Sequence, residues 1–165
     1  MASNKSYTIT LENNKSEKEA LTFLLESDIN FLNPTKESRK LILEMLKIDK
    51  KYARAFDLII IPGHTNLEEI IEFNKPEEIT LVELKTTKKK HNNLPFGFFF
   101  GATESEFSIA KQLGDAYKFC FVSLHEESKG FVMLTLDQLN KIIKTKRIQY
   151  QINLLKHEIP SITTS

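Results

Sequence analysis

The sequence predicts an α/β fold in which a central mixed β-sheet is flanked by helices, and two observations carry that expectation. Segments with apolar residues at helical spacing alternate with short β-branched and aromatic runs, in the order helix, strands, helix, strands. The length of 165 residues and a hydrophobic fraction of 41% suit one domain with its own core.

The elements follow in order. Residues 16–27, SEKEALTFLLES, place Ser16 and Glu19 at capping-box spacing ahead of Leu21, Leu24 and Leu25, which predicts a first helix. A second helix is expected over TKESRKLILEMLKIDKKY, after Pro34, with Leu41, Met45, Leu46 and Ile48 along one side. The period then shortens. AFDLIIIPG reads as a strand closed by Pro62 and Gly63, with Asp57 at its mouth. HTNLEEIIEFNKPEE is an acidic connection with room for one helical turn, and ITLVELKTT is the next strand. Residues 94–101, LPFGFFFG, look like a third extended segment bracketed by Gly97 and Gly101. Thr103 and Glu106 repeat the capping-box spacing before EFSIAKQLGD, where Phe107, Ala110 and Leu113 make an apolar stripe and Gly114 the stop. AYKFCFVSL and GFVMLTL are two further strands joined across HEESKG, and DQLNKIIKTKRIQYQI begins as a strongly basic helix. The single domain of residues 1–165 thus divides into a helical part, 16–52, a core, 53–136, and a basic helix and tail, 137–165.

Composition excludes several classes. No apolar run approaches the roughly 20 residues that cross a bilayer, and MASNKSYTIT lacks the pattern of a secretory signal, so a cytoplasmic protein without a membrane partner is expected. Cys120 stands alone in the apolar YKFCFV, which leaves no disulfide and no cysteine-rich zinc site and makes it a core residue. His64, His125 and His157 have no second ligand at zinc spacing, and no glycine-rich phosphate loop provides for a nucleotide cofactor. The net charge of +1 conceals a polarity: residues 1–84 carry 11 Lys and Arg against 15 Asp and Glu, whereas residues 85–165 carry 12 against 7. Such asymmetry suits a polyanionic partner for the second half, or a solvated lysine face.

The chemistry concentrates in ITLVELKTTKKK. Alternate residues of a strand share a face roughly 6.5–7 Å apart, so Glu83 and Lys85 project together while Val82 and Leu84 point to the other side. Charged groups in an apolar strand must meet each other, water, a metal or a substrate charge. A structural ion pair at a strand end satisfies this. So does a reactive site once Asp57 is added from the preceding strand, because two carboxylates at one sheet opening repel and a divalent cation relieves that repulsion. Oxygen ligands suit Mg²⁺ or Mn²⁺, and Lys85 would then orient or deprotonate a water, or stabilise charge on a phosphorus centre.

Asp57, a variable connection, then Glu83, Leu84 and Lys85 resembles the signature of the PD-(D/E)XK nucleases. The continuation through VELKTT, PFGFFFGAT, ESEFSIAKQLGD and YKFCFV is similar to the bacterial domain related to the C-terminal region of the plant NO VEIN protein, over Asp57 to Leu136. Phe56 stands where the signature usually has proline, and the stretch from Asp57 to Glu83 is long. The resemblance implies a restriction-endonuclease-like core and a Mg²⁺-dependent DNA endonuclease, Mn²⁺ substituting, that leaves a 5′-phosphate and a 3′-hydroxyl. It implies Asp57 and Glu83 as metal ligands, Lys85 as the catalytic lysine, Glu19 rather than Glu17 or Glu26 as a supporting acid, and Gln112 facing the site. Tyr117 follows the same spacing and equally suits a core strand. A small restriction or defence nuclease acting on double-stranded DNA as a homodimer is the concrete form. The alternatives are a DNA-binding module of the same fold without catalysis, and a nicking, repair or junction-resolving nuclease.

Lys88, Lys89 and Lys90, with His91, emerge directly beyond that strand end, where a phosphate backbone would lie, or else form a solvated turn. Lys141, Lys144, Lys146 and Arg147 form a second candidate surface with the same two readings. Phe96, Phe98, Phe99 and Phe100 suit core packing, or stacking on bases.

Overall fold

The computed structural model describes residues 2–63 and 66–159. Five strands lie in sequence order across one sheet: β1 (Phe31–Leu32), β2 (Leu58–Ile60), β3 (Thr80–Thr87), β4 (Tyr117–Ser123) and β5 (Gly130–Leu134). β3 and β4 run parallel, with Glu83 opposite Phe119 and Lys85 opposite Phe121, and the other three pairings are antiparallel. A parallel pair needs a crossover that returns the chain to its starting end, and α4 (Glu104–Leu113) lies in that connection.

Helices cover both faces of the sheet. On one, Ala20 and Leu24 of α1 (Ala2–Leu25) pack against Leu58, Val82, Leu84, Cys120 and Val122. On the other, α2 (Lys36–Met45), α4 and α5 (Leu136–Asn140) bring Ile42, Leu43, Ile109, Ala110 and Leu139 onto Ile59, Leu81, Phe119 and Phe121. β4 therefore alternates between two buried layers, which is why it reads as one continuous apolar run. α3 (Leu67–Phe73) occupies the acidic connection between β2 and β3 and exceeds the single turn expected there. His64 lies outside the described residues. No helix among the described residues is long and apolar enough to cross a membrane.

The structure corrects several expected elements. α1 begins at Ala2, so Ser16 lies inside a helix, buried, and caps nothing. α2 starts after Thr35, whose hydroxyl accepts the Ser38 N–H, but stops at Met45, and Lys47 turns away with φ of 58°. Its inward residues are Ile42 and Leu43, while Leu41 is exposed. Residues 94–101 form no strand, because their backbone is spent on turns: Phe96 N–H bonds Asn93 O at 2.9 Å and Phe98 N–H bonds Pro95 O at 3.0 Å. Phe98 and Phe100 each set a ring 5.1 Å from Phe121, whereas Phe96 and Phe99 face outward. The basic helix is only five residues long; Leu139 is its one buried side chain, and Ile143 is the last residue packed on the core.

Candidate active site

Asp57 stands just before β2 and is tied to β3 twice. Its N–H donates to Val82 O at 2.8 Å, and its Oδ2 accepts the Leu84 N–H at 2.8 Å. The long connection from Asp57 to Glu83 therefore closes on itself, and the two carboxylates meet. Val82 and Leu84 belong to the α1 layer, so Glu83 and Lys85 point into the layer that holds α2 and α4. There Lys85 Nζ lies 3.2 Å from Glu83 Oε1 and 2.6 Å from Glu106 Oε1. Glu106 is the third residue of α4, and its other oxygen accepts the Thr103 N–H in a complete capping box.

Arg39 of α2 braces the approach to Asp57 from outside the sheet. Its guanidinium donates to Asp57 O at 3.0 Å, to Ala53 O at 3.4 Å and to Phe56 O, and it lies 5.1 Å from the Phe56 ring centroid. Phe56, in the position where proline was expected, is fully buried and supplies that ring.

Burial dominates the electrostatics. Glu83 is pushed up to about 10, first by desolvation, then by its hydrogen bond with Glu106 and the charge of Asp57, so at neutral pH it holds a proton. Desolvation also raises Asp57, against the lowering effect of the Leu84 N–H. Glu106 moves the other way: burial opposes its ionisation, but hydrogen bonds from Glu83, Lys85 and the Thr103 N–H outweigh it and hold it down at about 2. For Lys85 burial works against the charge, yet Glu83 and Glu106 prevail and the ammonium is retained to higher pH. Among the described residues no N–H or hydroxyl donates to Glu83 Oε2, and the bonds of this carboxyl with Glu106 and Asp57 depend on its own proton. Among the described residues no three His, Cys, Asp or Glu side chains form a group able to hold a metal ion.

The structure thus brings Asp57, Glu83 and Lys85 together, but not all the residues expected to support them. Glu19 is exposed and lines a cavity of about 440 Å³ with Lys88, Leu124, His125, Glu126 and Glu127. The acid of α1 that senses the site is Glu17, whose carboxyl is raised by partial desolvation and then by the charge of Asp57, with Lys85 opposing. Gln112 is exposed on the last turn of α4 and donates to Ser108 Oγ at 3.3 Å, itself 2.9 Å from Tyr52 Oη; among the described residues it makes no hydrogen bond to Asp57, Glu83 or Lys85. Tyr117 is a core residue whose hydroxyl donates to Ala55 O at 2.5 Å.

Lys88, Lys89 and Lys90 are exposed, but among acids: Lys90 Nζ pairs with Glu127 at 2.7 Å, and Lys88 shares its cavity with three glutamates. Lys144, Lys146 and Arg147 are exposed too, and Lys146 Nζ sits 4.4 Å from the Phe107 ring centroid. Sequence reasoning missed Glu106 and Arg39. The capping-box spacing marked Glu106 as a helix signal, which hid its second contact; nothing in the spacing of Arg39 pointed to Asp57. No family model, curated protein or solved structure matches the chain.

Proposed function

We propose that this protein is a Mg²⁺-dependent DNA endonuclease, a restriction or defence enzyme in its concrete form, that hydrolyses phosphodiesters at Asp57, Glu83 and Lys85. The observation that carries the reading is the convergence of a half-buried carboxylate, Asp57, a buried one, Glu83, and a lysine at one sheet opening. Two carboxylates at one opening repel each other once both are ionised, and a hard cation relieves that repulsion. Asp57 and Glu83 would hold that cation, and two carboxylates with water filling the remaining positions suit Mg²⁺. When bound, it supplies Lewis acidity toward the phosphate and a more acidic water.

The chain's own groups divide the remaining work. Lys85 keeps its proton, and its ammonium has three N–H donors of which Glu83 and Glu106 take two. The third is free for a phosphate oxygen, which favours stabilisation of developing charge over proton abstraction. Glu106 fixes the direction of that ammonium. Glu83 must give up its proton for a cation to bind, so loading is coupled to pH. The exposed lysines at 88 and 89 and the 144–147 cluster are the surfaces open to a DNA backbone.

The test is cleavage of unmethylated duplex DNA by the purified protein with Mg²⁺, with EDTA, and with Glu83→Ala in parallel. Discrete fragments from the wild type with metal alone are the expected result, and their ends report the sequence read. DNA that is bound but never cut, on duplex, nicked or branched substrates, would replace this reading by a binding module of the same fold.

A further inference from the structure

After Asn140 the chain follows the domain only briefly. Ile143 packs on the core and Lys146 rests on the ring of Phe107. Residues 148–155 then run free of helix and sheet, and their apolar side chains stand in solvent: Ile148 is 82% exposed, Tyr150 80%, Ile152 76%, Leu154 86% and Leu155 73%. Ile148, Tyr150, Ile152 and Leu154 alternate with Gln149, Gln151 and Asn153. That period of two gives an extended segment one apolar and one polar face, the pattern of a half-buried strand that lacks a sheet.

A sheet edge open to such a segment exists on the same chain. Among the described residues β5 has β4 as its one strand neighbour. Its residues Phe131, Val132, Met133 and Leu134 are only partly buried, on both faces. Exposed edges are ordinarily protected by brevity, charge, proline or a bulge. The opposite edge, β1, is two residues long; β5 has five and contains neither a charge nor a proline.

We propose that residues 148–155 of one copy add as a sixth strand to the β5 edge of a second copy, and that the exchange is reciprocal. The second copy is the occupant because one chain carries both complementary halves, so a two-fold pair satisfies both arms and both edges at once. The area is sufficient. At roughly 100 Å² for each of the four large side chains on the apolar face, with an equal area covered on the edge, two exchanged arms bury about 1,600 Å², the range of stable protein pairs. The pairing is independent of the nuclease reading.

The experiment is sedimentation equilibrium on the full chain, wild type against Ile148→Asp/Ile152→Asp, with amide exchange followed across residues 130–134. Both substituted positions are exposed, so the variant should keep the circular dichroism and melting of the fold. Expected are a wild-type dimer, at least a tenfold weaker association in the variant, and β5 amides whose protection falls on dilution and in the variant. A wild type that stays monomeric near millimolar concentration overturns the proposal, as does a dimer indifferent to the two aspartates. Loss of the dimer with β5 exchange unaltered would show arm pairing with arm and overturn the assigned edge.

Discussion

Glu106 Oε1 stands 2.6 Å from Lys85 Nζ, while Glu106 Oε2 accepts the Thr103 N–H that closes the start of α4. One carboxylate therefore links the direction of a lysine on β3 to the cap of a helix in the crossover. The two duties can be separated, because a glutamine caps just as well. In α5, Gln138 Oε1 accepts the Thr135 N–H at 2.9 Å in the same kind of box.

Glu106→Gln should accordingly keep α4 and lose the charge that holds Lys85. The expected outcome is a melting temperature within a few degrees of wild type, unchanged DNA affinity, and a cleavage rate at saturating Mg²⁺ reduced by about 10–100-fold, as for a misplaced catalytic group. Glu106→Ala also removes the acceptor of the Thr103 N–H, the reciprocal half of the capping box, at a cost of about 1 kcal/mol, while the Thr103 hydroxyl still caps α4. Single-turnover rates beside thermal melts distinguish the two, and equal melts with an unreduced rate would deny Glu106 any part in placing Lys85.

Glu83 and Glu106 give opposite pH dependences. The folded protein holds a proton on Glu83 up to about 10, while the unfolded chain releases it near the ordinary glutamate value of 4.5. Between those values the native state binds more protons, so this group costs stability as pH rises. Glu106, at about 2 when folded, contributes stability above 4.5 that is lost as pH falls toward 2. Glu83→Gln removes the first effect: in metal-free buffer near pH 8 it should gain about 2 kcal/mol, or roughly 4–8 °C, and the gain should vanish near pH 4.5. The same proton opposes Mg²⁺. Binding by the wild type should tighten with pH and release about one proton, read by titration calorimetry in buffers of different ionisation enthalpy. Mg²⁺ that binds with no proton release, or that raises the melting point of Glu83→Gln as much as that of the wild type, would remove Glu83 from the ligand set.

What could be read in advance follows a physical division. The strand that carries Glu83 and Lys85, the cap at Thr103 and the stop at Gly114 were legible because each depends on residues within one element. Asp57 was legible as chemistry, yet its proximity to Glu83 depends on the Leu84 N–H across 27 positions, which no local pattern encodes. The choice of Glu19 over Glu17 failed for a related reason. Both lie on one helix turn, and only the packing of α1 on the sheet decides which carboxyl senses Asp57. LPFGFFFG misled because aromatic residues suit a strand and a turn packed on a strand equally, and Gly97, with φ of 79°, settles for the turn.

Arg39 offers a stability test remote from the reacting groups. Its guanidinium is desolvated and satisfies three carbonyls, of Ala53, Phe56 and Asp57, while stacking on Phe56. Arg39→Ala should cost about 2 kcal/mol, some 4–8 °C in melting temperature, by leaving those carbonyls without their donor. Arg39→Lys should recover less than half of that loss, since an ammonium reproduces neither the planar fork nor the stacking. Calorimetric melts of the two variants decide it; full recovery by lysine would reduce Arg39 to a point charge.

The two basic segments should differ in what they give to DNA binding. Each phosphate contact made by a cation contributes about 0.9 to the slope of log affinity against log salt. Lys90 is already paired with Glu127, and Lys88 shares its cavity with Glu19, Glu126 and Glu127, so counterions are sparse there before DNA arrives. Among the described residues Lys144 and Arg147 are exposed with no acidic partner, and Lys146 sits over the ring of Phe107. Lys144→Ala/Lys146→Ala/Arg147→Ala should therefore lower the slope by about 2–3, whereas Lys88→Ala/Lys89→Ala/Lys90→Ala should lower it by about 1. Fluorescence anisotropy with a labelled duplex over a salt series, in EDTA to prevent cleavage, measures both. Equal slopes in the two triple variants would mean that DNA displaces the glutamates from Lys88 and Lys90, and the track would then pass directly over the opening that holds Asp57, Glu83 and Lys85.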